Sequence, residues 1–227
     1  MRTLIYVPVL HTSADLGSLA KDVTKRGIAE LGEDIWDKHT ATVEKFWDCF
    51  LDYFDSIDVS GMKIYQDGMV ADGEIGRRIV EECAKSGSRN YELIARLLNR
   101  GAVLVKTEDF TLVKQERGNL VILTQAKSFI QKLTAYIRYM LAKGRVLRKR
   151  DAFIAKRIAE SLSHDETGII FIGAYHNIRP KLPRDIQIKE IKDARKVKEY
   201  QMLLPFCHKN KKQFEDLGKY LISKIEE

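Results

Sequence analysis

The 227-residue sequence has only three cysteines and four prolines, and it lacks any long apolar run free of charge. Cys49, Cys83 and Cys207 stand far apart with no C-x-x-C pair, which argues against a disulfide framework and a cysteine zinc site and points to a reducing compartment. So little proline, with 44% hydrophobic and 31% charged residues, excludes the disordered and fibrous classes. No segment reaches membrane-spanning length without a charge, and the opening MRTLIYVPVLHTSADLG lacks the charged region, longer apolar region and cleavage site of a signal peptide. The expectation is a cytoplasmic protein with no membrane partner, folded as a single domain over residues 1–227. Internal repeats are missing, which removes repeat architectures. The Gly-x-Ser-x-Gly turn of a serine hydrolase is missing too, so neither Ser13 nor Ser18 near His11 is assigned as a nucleophile.

What is present is an alternation of short apolar runs with helical patterns. Residues 3–9, 62–65, 102–106 and 168–172 are nearly continuous in branched and aromatic side chains, as in strands covered on both faces. Residues 185–188 alternate and suit an edge. Between the first two runs, residues 33–57 place Trp36, Val43, Phe46, Trp47, Phe50 and Phe54 at helical spacing, the inner stripe of a helix packed on a sheet. Further helices are expected at 74–85, 91–99, 193–204 and 212–225, with Pro205 breaking the last pair. Residues 119–162 read as two helices forming a hairpin lobe, broken near Lys143-Gly144, with the second helix over 150–162. This order predicts a three-layer α/β fold: a mainly parallel sheet of about five strands, helices on both faces, and a helical hairpin insertion.

In such sheets ligands bind outside the carboxyl ends of the strands. The residues that follow the strands are therefore the candidates. They are His11, Thr12, Ser13 and Asp15 after the first, Asp67-Gly68 after the second, Glu108-Asp109 after the third, and Gly173-Ala174-Tyr175-His176-Asn177 after the fourth. Two imidazoles with carboxylates can hold a divalent metal, or act as general base and electrostatic partner without one. Each residue also has a plain structural use. Asp15 and Asp109 suit helix N-caps, as does Glu108, and Asp67-Gly68 is a turn signal. His39, His164 and His208 have no ligand partner at short spacing, and Cys207-His208 reads as a buried thiol beside a loop histidine.

The run Lys149-Arg150-Asp151 opening a helix, followed by Gly173-Ala174-Tyr175-His176 at the end of the next strand, resembles the TraB/TIKI-like branch of the erythromycin esterase and ChaN-like superfamily. Pro8-Val9-Leu10-His11 is similar to that family's earlier Gly-x-x-His in place and in its histidine, with proline where the family has glycine. The strong part of the likeness spans residues 149–177. It implies an α/β fold with a site between two histidines, hydrolytic chemistry in several members, and an acidic residue after the second strand, here Asp67.

These readings combine into an expected hydrolase, a metal-dependent protease or an esterase-like enzyme, acting on a small-molecule or peptide ligand. His11, His176, Arg150 and Asp67 are its candidate catalytic residues. Gly173, Tyr175, Asn177 and Ser13 are its candidate substrate contacts, and His11, His176 and Glu108 the candidate ligands for manganese, cobalt or zinc. Arg150 is expected at the rim, neutralising an anionic substrate or intermediate. The alternative is a non-catalytic regulatory module binding a small ligand, haem or a peptide, with Tyr175 beside His176 as an iron-ligand pair. The net charge of +7 is densest at 143–150 and 209–212, but no nucleic-acid-binding motif accompanies it, so nucleic acid is not expected as a partner. A homo-oligomer is compatible with the sequence.

Overall fold

The apolar runs do form the strands, and their parallel pairing brings the carboxyl ends to one rim. The computed structural model describes residues 1–12, 14–15, 20–125 and 129–226, with side chains at 117 and 119–143 left aside. The chain runs β1 (Arg2–Val9), α1 (Ala20–Leu31), α2 (Glu33–Asp55), β2 (Lys63–Gln66), α3 (Gly73–Lys85), α4 (Arg89–Asn99), β3 (Val103–Val105), α5 (Phe110–Gln125) and α6 (Phe129–Ser161). It continues with β4 (Thr167–Gly173), β5 (Ile186–Glu190), α7 (Ala194–Leu203) and α8 (Lys211–Leu221). The five strands form one sheet in the order β3-β2-β4-β1-β5, every pair parallel. The alternating run is an edge strand, as its pattern predicts.

Alternation of side chains along the strands divides the core into two layers. Ile5, Val7, Ile64, Ile169 and Phe171 face one cluster with Phe46, Trp47, Phe50 and Phe54 of α2, Leu97 of α4, Val197 of α7 and Leu221 of α8. Leu4, Tyr6, Tyr65, Ile170 and Ile172 face the other, with Ile154 and Ile158 of α6 and Leu162 beyond it. The fold is thus three-layered α/β. Phe46, Phe50 and Phe54 are fully buried, each contributing about 1.5–3 kcal/mol relative to an exposed ring. Trp47 adds a directional tie, donating from Nε1 to the Leu10 carbonyl at 3.0 Å and fixing the exit of β1 just before His11.

Pro8 sits inside β1 without breaking the ladder. The Ile191 N–H donates to the Tyr6 carbonyl, so even-numbered β1 residues turn their backbone toward β5. Pairing with β5 ends at Tyr6, and the N–H that Pro8 lacks would point past the end of that pairing.

The hairpin lobe departs from expectation in one respect. α6 runs unbroken through Lys143 and Gly144, so Arg150 and Asp151 lie inside a 33-residue helix and do not open one. A helix-interior glycine costs only about 1 kcal/mol against alanine, and Arg145, Leu147 and Arg148 after it are good helix formers. Continuity wins over the local breaker.

Candidate functional site at the strand ends

The spatial strand order decides which rim residues become neighbours. Reading across from β3 through β2 and β4 to β1, the strands deliver Glu108, Asp67, His176 and His11 in turn.

Asp67 extends the ladder by one bond, its N–H donating to the Phe171 carbonyl at 2.9 Å, and Gly68 then turns with φ of 80°. That left-handed turn favours glycine. At the end of β4, Gly173 donates its N–H to Asp67 Oδ2 at 3.2 Å, and a Cβ at Gly173 would lie 3.2 Å from the same oxygen. A turn closed by the His176 N–H on the Gly173 carbonyl swings the imidazole back over the strand ends. There His176 Nε2 lies 3.2 Å from Asp67 Oδ2, and Nδ1 lies 2.6 Å from Asp151 Oδ1. Asp151 Oδ2 accepts the Asn177 N–H at 3.1 Å, which locks the brace to the loop it supports.

Arg150 sits beneath this line. It is 6% exposed and reaches Asp67 Oδ1 at 2.5 Å through Nη2, Glu108 Oε2 at 3.1 Å through Nε, and Glu116 of α5 through Nη1. Glu108 is fully buried and also accepts the Gly68 N–H at 3.3 Å. On the other side of His176, His11 is half-exposed, with Nδ1 3.8 Å from Asp15 Oδ2. Asp15 is itself held by the Thr12 N–H at 2.6 Å and by the hydroxyl of Ser88, the N-cap of α4.

The ionisation of these groups follows from their neighbours. Burial works against charge on His176, but the Asp67 carboxylate and the Asp151 hydrogen bond outweigh it and push its pKa up to about 10, so the ring is a doubly bonded imidazolium at neutral pH. Burial also opposes charge on Asp67, and His176 with Arg150 and His11 holds its carboxyl well below the usual range. For Glu108, burial and the Asp67 charge prevail over Arg150 and move the pKa upward. Burial lowers His11, yet Asp15 and Asp67 more than offset it and the net shift is upward, against a small opposing effect of His176. The two histidines therefore feel each other and share Asp67.

Asp67, Glu108 and His176 each offer a ligand atom, all within 4.8 Å of one another, a grouping able to hold a metal ion. One imidazole nitrogen with two carboxylates suits a divalent transition metal, and a carboxylate on the far ring nitrogen is the usual second-shell support. The expected ligand set changes accordingly: Asp67 joins Glu108 and His176, while His11 falls outside the grouping and faces Asp15. Arg150 also differs from expectation. Its guanidinium, expected at the rim, is buried and paired with three carboxylates.

Tyr175 is 43% exposed, with Lys198 Nζ 5.3 Å above its ring, and Asn177 enters through its backbone N–H. Ser13 lies outside the described residues. Both ring nitrogens of His176 face carboxylates, Nε2 that of Asp67 and Nδ1 that of Asp151. Asp109 caps α5 as predicted, accepting the Thr111 and Leu112 N–H groups. His39, expected to be structural, lies against Tyr200 with its pKa pushed down by burial to about 4.

Asp151 and Glu116 are the residues that sequence reading missed as parts of the site. Asp151 carried one signal, its place beside Arg150 in the Arg-Asp pair; Glu116 on α5 carried none. Asp15 suited a cap at least as well as catalysis on sequence grounds, and its carboxylate lies against His11. Two other clefts, one lined by Lys196, Lys209 and Lys212 and one by Cys49, Tyr53 and Ile225, include none of these residues. Comparison with family models, with curated proteins and with solved structures gives no match.

Proposed function

We propose that the chain is a hydrolase of the erythromycin esterase and ChaN-like kind, working on a small-molecule or peptide substrate at the rim beside His11. One observation carries this reading: two imidazoles at neighbouring strand ends, each backed by a buried aspartate, one half-exposed and one enclosed. His11 is the group that takes a proton from water, since its ring reaches solvent and Asp15 stabilises the imidazolium that results. His176 keeps Asp67 and the turn after β4 in place.

A metal-assisted form of the same chemistry is supported by the Asp67, Glu108 and His176 grouping. Manganese, cobalt or zinc would be held by those three residues, with Asp151 fixing the ring, and such an ion when bound supplies a water of lowered pKa. The His176 ring would give up its Nε2 proton to bind it, and Asp67 would exchange its Arg150 partner.

The test is turnover on a panel of ester, phosphoester and peptide substrates. His11→Ala is expected to lower kcat/KM by about 10²–10⁴-fold with an unchanged melting temperature. Turnover equal to wild type on every substrate the protein cleaves, or no cleavage of any, would sink the reading. Calorimetric titration with each metal separates the two forms: no heat in wild type removes the metal and leaves the base.

A further inference from the structure

Between Glu116 and Asp151 the sequence has no acidic residue and nine Lys or Arg. The rest of the chain holds the other 30 Lys and Arg against all 32 Asp and Glu, so the whole positive excess resides in this one segment. The segment is apolar as well. Leu120-Val121-Ile122-Leu123 are consecutive, and Phe129, Leu133, Tyr136 and Met140 recur three and four apart.

Its backbone forms the second half of α5 and the first half of α6, and the two helices pack on one another. Buried positions of α6 begin, among the described residues, at Val146 and recur at every fourth position through Arg150, Ile154 and Ile158, of which Ile154 and Ile158 pack on the sheet. Before them, residues 129–145 continue the helix for about 25 Å. The described ends of this stretch are open, with Gly118, Gly144 and Arg145 exposed and Phe110, at the start of α5, 61% exposed.

Within a two-helix hairpin each helix can cover one stripe of the other. Four consecutive apolar residues at 100° steps span roughly 300° of arc, more than one neighbour can cover. A second copy of the hairpin would set one cationic segment against another, which Coulomb repulsion opposes. Nucleic acid would satisfy the cations and leave the apolar run in water. A bilayer surface with anionic headgroups satisfies both, taking Lys and Arg at the phosphates and Leu, Ile, Phe and Tyr at the acyl boundary.

We propose that the α5–α6 hairpin binds the surface of a membrane rich in anionic lipid, drawn there by the cationic and apolar composition of this segment. No helix among the described residues is long and apolar enough to cross a membrane. The proposal is independent of the chemistry at the strand ends.

The experiment is flotation of the full chain with vesicles of phosphatidylcholine alone and of phosphatidylcholine with about a third phosphatidylglycerol. Partition onto the anionic vesicles is expected to exceed that onto neutral ones by about tenfold or more and to weaken in high salt. Lys132→Glu with Arg138→Glu is expected to lower it by at least about tenfold. Arg148→Glu with Lys149→Glu, at exposed positions, is a second variant that leaves the apolar residues untouched, and unchanged melting shows which variants remain folded. Equal partition onto both vesicles, flotation with neither, full binding by both folded variants, or tighter binding to a short RNA duplex than to anionic vesicles would overturn the proposal.

Discussion

His11 and His176 stand on adjacent parallel strands, each with an aspartate partner, yet the protein treats them differently. The ring at the end of β4 has carboxylates on both nitrogens and almost no exposure; the ring at the end of β1 has one distant carboxylate and nearly half its surface in solvent. Identical side chains thus stand enclosed between two carboxylates in one place and half-exposed beside one in the other. The neighbours decide this, because each buried carboxylate that must be satisfied draws the ring toward permanent protonation.

The largest effect expected in testing that contrast comes from the cation under the buried ring. Arg150→Met leaves Asp67, Glu108 and Glu116 facing one another without their shared partner, and unfolding free energy is expected to fall by about 3–5 kcal/mol in urea titrations. A loss below about 1 kcal/mol would mean that the carboxylates are better solvated than their burial implies.

Next comes pH. The folded pKa of His176, about 10, lies above the ordinary 6.5, so its contribution to stability is complete below about 6.5, shrinks as pH rises and is gone above about 10. Wild type is expected to lose on the order of a few kcal/mol more than His176→Gln across that window. Parallel curves for the two proteins would show that the ring is neutral when folded, which would erase the contrast with His11.

The smallest effect compares the two braces. Asp151→Asn breaks a buried charge-assisted hydrogen bond and is expected to cost about 1.5–3 kcal/mol, whereas Asp15→Asn, which keeps an oxygen to accept from Thr12 or Ser88 and loses a long tie to a half-exposed His11, is expected to cost about 1 kcal/mol. The order should reverse for turnover if His11 is the base, with Asp15→Asn the more damaging.

Much of the scaffold was legible in the sequence. Three of the four near-continuous apolar runs became the interior strands β2, β4 and β1, where burial on both faces writes directly into the pattern, and the alternating run became the edge strand β5; the fourth near-continuous run, β3, forms the other edge. The sheet order was not legible, and with it went the choice of neighbours. Nothing local to Asp67 or His176 says that β4 inserts between β2 and β1, yet that insertion creates their contact. Arg150 was identified from its setting in the sequence, but its burial among three carboxylates was not. Whether a guanidinium meets solvent or three carboxylates depends on Glu116 and Glu108, which reach it from separate segments. Helix continuity through Gly144 was hidden for the opposite reason: a breaker is a weak local preference, and the good helix formers beyond it outweigh it.

Because β4 occupies the gap between β1 and β2, every residue made before Thr167 emerges from the ribosome with two strands that belong two places apart and have nothing to separate them. Both carry open hydrogen-bonding edges during that interval, and joining them directly would give a shorter sheet with no room for the late arrival. The central strand is thus supplied late in the chain, and the sheet is complete only with the keystone in place.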